Sequence, residues 1–308
     1  MATLTGTTPE KTLAADDTYY SNAFVSTAKE KIHLTQAEET CLASLFCRVQ
    51  DTKSAHPILG DVYAQETLNR CEVDQSRTTF SAGQRLGNVI WASYRALTLD
   101  QWCEDFILTH KEPVTVLHLA CGLDCRYLRI MDRLRGMDTE TDIRWIDLDK
   151  PMVVDLRQRI FTRPRGDYTL RTLDLSKEGW LQDLPADRPT LVVAEGLFYY
   201  LEPNTVQSLL CDLPEYFPSG QIAFDKLGKL SISLTSRVQF LKSSKSAFKW
   251  GVDDPKDIEA FHSKLKLKDC MDQKQYMKGC IPMYGKMNAL VSLHPRDKFN
   301  GQFLRFYF

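Results

Sequence analysis

The sequence predicts an α/β protein built on a Rossmann-like, mostly parallel sheet, and three observations carry that expectation. Short apolar runs alternate with helical stretches between residues 113 and 225, the rhythm of strands joined by crossover helices. The first run, Val114–Leu119, passes straight into the small-residue turn Ala120-Cys121-Gly122-Leu123-Asp124 with a helix behind it. Strand, tight turn and helix is the unit with which such folds offer backbone N–H groups and a helix N-terminus to a ligand. The four runs that follow each end in an acid, at Asp147, Asp174, Glu195 and Asp225. Ligands of parallel sheets bind at the carboxyl ends of the strands, so acids repeated at that place read as a site rather than as surface.

The elements follow in order. Residues 1–15 are polar, small and Pro-containing, and are expected to be disordered. Residues 18–31, 35–49, 61–70 and 84–110 carry apolar side chains at three- and four-residue steps, so residues 1–112 read as an N-terminal helical cap. His56-Pro57-Ile58-Leu59-Gly60-Asp61 reads as a turn with Asp61 as an N-cap. The core, 113–225, has strands at 114–119, 142–147, 168–173, 190–194 and 221–224, with helices at 126–135, 151–161 and 205–216 between them. Residues 226–286 hold thirteen Lys or Arg against six Asp or Glu, and are expected to form an inserted helical lid with a solvated basic face. Residues 287–308 are expected to form a terminal β-hairpin, with strands at 288–294 and 302–308.

Composition narrows the function classes. With 308 residues the chain is long enough for a sizeable core. A formal net charge of −1 gives no global field that would draw nucleic acid or an anionic membrane. No stretch approaches the roughly 18 consecutive apolar residues of a membrane span. The nine cysteines have no paired spacing and the start of the chain has no apolar signal region, which points to reduced thiols in a cytoplasmic protein. Cys121 and Cys125 lack the second ligand pair that a zinc site needs, so no metal is expected. His118 lies inside the first strand and reads as a satisfied core histidine.

The turn and the strand-end acids suggest what the ligand is. A dinucleotide fingerprint uses three glycines to bring backbone against a pyrophosphate, and here only Gly122 is present. S-adenosylmethionine (SAM) has no phosphate, so one close approach can suffice for it. Asp147 lies 25 residues beyond Gly122 at a strand end, where an acid accepts hydrogen bonds from a ribose diol. Asp149 could share or take that role, or one of the two could cap the helix that begins at Pro151. Asp174 could accept from an adenine amino group while Leu175 packs on the ring. Glu195 falls at the centre of the sheet, where a buried acid needs a cationic partner. Arg95, on the helix before the first strand, is the candidate, and its guanidinium could also hold the methionyl carboxylate. Tyr19, Tyr20, Tyr199 and Tyr200 are candidates for a substrate pocket.

Taken together, Arg95 with Asp100, the run Leu119-Ala120-Cys121-Gly122-Leu123-Asp124-Cys125-Arg126, Asp147, Asp174-Leu175 and Glu195-Gly196-Leu197 with Tyr200-Leu201 resemble the leucine carboxyl methyltransferase family. The resemblance extends to that family's polyketide-synthesis O-methyltransferase branch of tetracenomycin type. It implies a class I SAM-dependent methyltransferase with a mostly parallel seven-stranded sheet and an antiparallel terminal strand. It places the methionine-carboxylate arginine on Arg95, the glycine turn on Ala120, Gly122 and Asp124, the ribose acid on Asp147, the adenine-side pair on Asp174-Leu175 and the fourth-strand acid on Glu195. The family's usual Gly-Cys-Gly stands here as Ala120-Cys121-Gly122, and its usual Thr after the Asp as Cys125.

The implied reaction is O-methylation, with a small-molecule carboxylic acid or phenol as acceptor. A carboxylate is already ionised and needs no base, and no histidine is placed beside the expected pocket. The alternatives are a carboxyl methyltransferase acting on a protein C-terminus and a non-catalytic SAM-binding scaffold.

Overall fold

In the computed structural model the described residues are 23–25, 28–32, 40–73, 86–135, 137, 141–175, 177, 179–235, 248–272 and 301–308. The sheet is built from Val114–Leu119 (β1), Ile143–Asp149 (β2), Asp167–Thr172 (β3), Thr190–Ala194 (β4), Gly220–Lys226 (β5), Lys266–Met271 (β6) and Gln302–Tyr307 (β7). Its strand order is β3-β2-β1-β4-β5-β7-β6. The first five strands pair in parallel, and β7 runs antiparallel to both of its neighbours. This is the mostly parallel seven-stranded sheet with an antiparallel terminal strand that the family resemblance implies.

Strand parity decides where the site can form, because alternate side chains point to opposite faces. On β1, Val114 and Val116 join one apolar cluster, while Leu117 and Leu119 join the other. The first cluster also takes Trp145, Leu191, Val193 and Ala223. By parity His118, Asp147, Asp149, Glu195 and Asp225 stand on that same face. The acids at the carboxyl end of the central strands therefore converge instead of dividing between two sides.

That face is covered by the cap. Thr40–Thr52 (α1), Ala64–Asn69 (α2) and Leu86–Thr109 (α3) pack there with Arg126–Leu134 (α4) and Pro151–Ile160 (α5). Pro203–Tyr216 (α6) lies on the other face with the second cluster. Proline in the first turn of α5 and α6 suits the helix start, where a backbone N–H has no partner to lose. The turn after α1 is tied by Asp51, whose carboxylate accepts the N–H groups of Ile58, Leu59 and Gly60 at 2.8–2.9 Å. Asp61 accepts the Tyr63 N–H at 3.1 Å.

Two expectations are corrected. Residues 226–286 are not simply a helical lid. Lys229–Thr235 (α7) is a helix, but Lys266–Met271 is an edge strand. Its Lys-Leu-Lys-Asp-Cys-Met sequence hides an apolar side made of Leu267 and Cys270, with charge on the exposed edge, as edge strands commonly carry. The terminal strand β7 finds its antiparallel partners there and in β5. The helix expected over 18–31 is also absent where described. Phe24 bridges to Phe161, and Glu30–Lys31 pairs in parallel with Cys71–Glu72. Residues 1–15, Tyr19, Tyr20 and the strand expected at 288–294 lie outside the described residues.

Candidate functional site

β1 and β4 are neighbours, and the chain proceeds from them toward opposite ends of the sheet. The crevice at their carboxyl ends is the switch point at which such sheets bind ligands. A turn with positive φ follows each strand. After β1, Ala120 has φ +51° and Gly122 φ +54°; after β4, Gly196 has φ +67°. Of the two glycines, Gly122 is the tighter against the cap: a Cβ there would lie 2.9 Å from the Cβ of Cys41 on α1.

Each turn is held by the acid at the end of the next strand outward. Gly122 N–H donates to Asp149 Oδ2 at 2.6 Å, and Gly196 N–H donates to Asp225 Oδ1 at 2.6 Å. The two acids differ in what else they hold. Asp225 also accepts from Arg95 Nη1 at 3.0 Å and is fully buried. Asp149 accepts a second backbone N–H, from Lys150 at 2.7 Å, and forms no ion pair among the described residues. Burial raises the pKa of both carboxyls; the two N–H donors oppose this at Asp149, and Arg95 with the Gly196 N–H opposes it at Asp225.

Between the two turns lies a buried lattice of charge. Glu195 receives Arg48 Nη2 and Arg95 Nη2, both at 3.0 Å, together with Arg126 Nη2. Burial works to raise its pKa, but Arg48, Arg95 and Arg126 outweigh this and hold it at about 2. Asp124 is held well below the carboxylate range by Arg129, Arg48 and Arg126 against the same burial effect. Its oxygens lie 2.8 Å from Arg129 Nη1 and 2.9 Å from Arg48 Nη2. Arg129 continues to Asp61 at 2.7 Å and Asp100 at 2.9 Å, which ties the cap to the turn. A buried charge without a partner costs several kcal/mol, so this lattice stands only as a set.

Asp147 has a different environment from the one its place in the sequence suggests. Its Oδ1 accepts from Trp145 Nε1 at 2.7 Å and lies 3.2 Å from His118 Nδ1. Its Oδ2 accepts from Arg157 Nη2 at 2.7 Å and Tyr168 Oη at 2.7 Å. A carboxylate has about four acceptor positions, and all are taken. Arg126 Nη1 lies 3.0 Å from His118 Nε2. Because an arginine can only donate, His118 carries its proton on Nδ1 and gives it to Asp147.

The other expected residues are more peripheral. Asp174 is exposed, 3.9 Å from Lys177 Nζ, and Leu175 packs part-buried on the second apolar cluster. Tyr199 accepts from Arg95 Nη1 at 3.0 Å and forms an aromatic trio with Tyr200 and Phe248, with ring centroids 4.8–5.1 Å apart. The structure thus gathers Arg95, Ala120, Gly122, Asp124, Asp147, Asp149, Glu195 and Tyr199 around one strand-end crevice, with Asp174-Leu175 at the end of β3. Sequence reasoning gave no role to Arg48, Arg126, Arg129 and Arg157, although Arg126 stands in the motif run. The signal for three of them was present: Arg126 and Arg129 recur at helical spacing directly behind the turn, and Arg157 follows Asp149 on the next helix. Arg48 gave no such signal.

Side-chain needs of opposite sign are left at this crevice. Arg48 Nε and Arg95 Nε are buried donors with no hydrogen-bond partner among the described residues, whereas Asp149 is a buried acceptor that there receives backbone N–H groups alone. A ligand with a carboxylate at one end and a diol at the other matches both.

Comparison with known proteins gives the same direction. Residues 41–213 match the leucine carboxyl methyltransferase family. The chain is 33% identical over 282 residues to the tetracenomycin polyketide synthesis O-methyltransferase TcmP of Streptomyces glaucescens, across 91% of this chain and 99% of that one. It is 37% identical over 258 residues to the S-adenosyl-L-methionine-dependent methyltransferase dpfgK of Gibberella zeae, across 79% and 84% of the two chains. Among solved structures it resembles the magnesium protoporphyrin IX methyltransferase ChlM of Synechocystis PCC 6803 with bound SAH, at 10% identity and TM-score 0.45, over 72% of this chain and 87% of that one.

Proposed function

The chain belongs to the leucine carboxyl methyltransferase family and is a SAM-dependent methyltransferase, and from that premise we propose that it methylates a carboxylate or phenolic hydroxyl of a small molecule, of the polyketide type. The observation that carries the cofactor half of this reading is the pairing of an acid without an ion pair, Asp149, with the Nε groups of Arg48 and Arg95, which have no hydrogen-bond partner among the described residues. We assign Asp149, rather than Asp147, to the ribose diol, because every acceptor position of Asp147 is already filled. Arg95 and Arg48 serve the methionyl carboxylate, Gly122 the close backbone approach, and Asp174-Leu175 the adenine side. Ala120, Asp124 and Glu195 shape the site without needing to touch the ligand, since their role is to set the turn and hold the arginines.

Bound SAM supplies a methyl group activated by its sulfonium leaving group. The chain's own residues then have two tasks, to align the acceptor oxygen and to exclude water. The Tyr199–Tyr200–Phe248 trio beside Arg95 offers flat apolar area for an aromatic acceptor. No general base is assigned. Tyr199 is held well above its usual pKa by burial and by Asp225, against the lowering effect of Arg95, and so stays a neutral phenol. An acceptor that ionises by itself, a carboxylic acid or an acidified phenol, fits that arrangement. The likeness to TcmP along nearly its whole length supports the small-molecule class.

The test is incubation with methyl-labelled SAM and a panel of aromatic carboxylic acids and phenols, followed by mass spectrometry. Label in a solvent-extractable methyl ester or ether is the expected result. Label entering protein would replace this reading with that of a protein carboxyl methyltransferase, and SAM binding without transfer to any acceptor would make the chain a scaffold.

A further inference from the structure

Asp147 and Arg157 are buried, charged and not used by the chemistry above. Asp147 is 1% exposed and Arg157 5% exposed. Arg157 comes from α5, and the contacts of its guanidinium are specific. Nη2 binds Asp147 Oδ2 at 2.7 Å, while Nη1 donates to two backbone carbonyls of the glycine turn, Gly122 O at 2.9 Å and Asp124 O at 2.8 Å. We propose that Asp147 and Arg157 are positioning residues: Asp147 fixes Arg157, and Arg157 fixes the peptide planes of the turn that meets the cofactor. This inference rests on the cofactor reading given above.

The physical reason lies in the planarity of the peptide unit. In a trans peptide the C=O of one residue and the N–H of the next point in opposite directions, and among the described residues no peptide bond is cis. With the Gly122 and Asp124 carbonyls turned toward Arg157, the N–H groups of Leu123 and Cys125 are turned away from it. Asp149 sets the preceding peptide through the Gly122 N–H at 2.6 Å. Two acids of one strand therefore hold the same turn by different means: Asp149 directly, and Asp147 through an arginine. The arrangement also answers a backbone problem. Ala120 at φ +51° and Gly122 at φ +54° are conformations that extended or helical chain does not adopt, so the turn needs outside contacts to hold one geometry. A guanidinium provides this better than an ammonium, since its planar fork can reach a carboxylate and carbonyls at once.

The fork itself is what the test must isolate. Arg157→Gln removes the whole contact. Arg157→Lys keeps a positive charge beside Asp147 but loses the fork. Asp147→Asn weakens the anchor of Arg157, and the double variant closes a cycle. SAM affinity is read by calorimetry on the folded full chain, with thermal melting alongside. Arg157→Gln and Arg157→Lys are each expected to bind SAM about tenfold more weakly, the loss of one charge-assisted contact set. The Asp147→Asn/Arg157→Gln pair is expected to lose no more than Arg157→Gln alone, because Asp147 acts through Arg157. If Arg157→Lys restores wild-type affinity, only the charge matters and the inference fails. It fails equally if the losses of the two single variants add. If Arg157→Gln does not fold, Arg157→Lys and Asp147→Asn still decide the question. A wild-type chain that binds no SAM would instead overturn the cofactor reading itself, and this inference with it.

Discussion

The two sides of the switch point are built alike and finished differently. On each, a turn with a positive-φ glycine follows a central strand, and an acid from the next strand outward holds the glycine N–H at 2.6 Å. On the β4–β5 side Asp225 is closed off by Arg95, which also bridges Glu195 and Tyr199. On the β1–β2 side Asp149 accepts, among the described residues, from backbone donors only. In the first arrangement the acid is satisfied within the protein and serves as framework, while Arg95 keeps its Nε for a ligand. The second retains acceptor capacity, and a ligand can use it. Sharing a position in the fold does not give two acids the same role; the partners that reach each one decide it. β2 repeats the lesson within a single strand, where Asp147 is saturated and Asp149, two residues on, is not.

The largest effect that would break this contrast is loss of the framework cation. Arg95→Met leaves Asp225 buried without its ion pair and Glu195 with one fewer, and is expected to destabilise the fold by about 3–5 kcal/mol. Urea unfolding checks it, and a change under about 1 kcal/mol would show that the β4–β5 side is not held by charge. A smaller loss is expected from Gly122→Ala, where the new Cβ would sit 2.9 Å from Cys41 Cβ at φ +54°. About 2 kcal/mol of stability should go through overpacking and the left-handed backbone. Gly196→Ala should cost less in comparison, since its Cβ meets the side-chain ends Tyr199 Oη at 3.2 Å and Arg95 Nη1 at 3.3 Å. Parallel melting curves of the two variants give the order directly. The opposite sign is expected for Ala120→Gly. Relief of φ +51° should stabilise by about 1 kcal/mol.

Acid separates the two sides without mutation. Glu195 has a folded pKa of about 2, below that of an unfolded glutamate at about 4.3. Its contribution to stability is therefore complete above the unfolded value and is lost as pH falls toward 2. Asp149 is shifted upward instead by burial, so it takes up its proton earlier on acidification than an ordinary aspartate. Protonation there costs the fold little but turns the charged acceptor of the diol into a weaker neutral one. SAM affinity should thus decline at a higher pH than the far-ultraviolet circular dichroism signal. Coincident loss of binding and fold would contradict the assignment.

Much of the frame was legible in the sequence because it is written locally. Val114–Leu119 and Thr190–Ala194 are strands at the residues expected, since apolar runs buried on both faces have sharp ends. The edge strand Lys266–Met271 was not legible, because its lysines belong to the solvent side and resemble a charged helix face. The acids of the site could be found, as each marks a strand end. Their arginines could not be assigned in the same way. Arg48 meets Glu195 across 147 residues of chain, and nothing near residue 48 reports that contact. The proposed exchange of Asp149 for Asp147 has a related cause. Both acids point to one face, so periodicity cannot separate them; only Trp145, His118, Arg157 and Tyr168 closing on Asp147 does.

The most direct test of this division of roles is calorimetric titration of Asp149→Asn with SAM beside the wild-type chain. The asparagine oxygen can still accept the Gly122 N–H while its amide faces the Lys150 N–H, so only about 1 kcal/mol of stability should be lost with that one hydrogen bond. SAM affinity should drop about tenfold or more. Wild-type affinity in a folded Asp149→Asn protein would show that the open acid of β2 does not hold the cofactor.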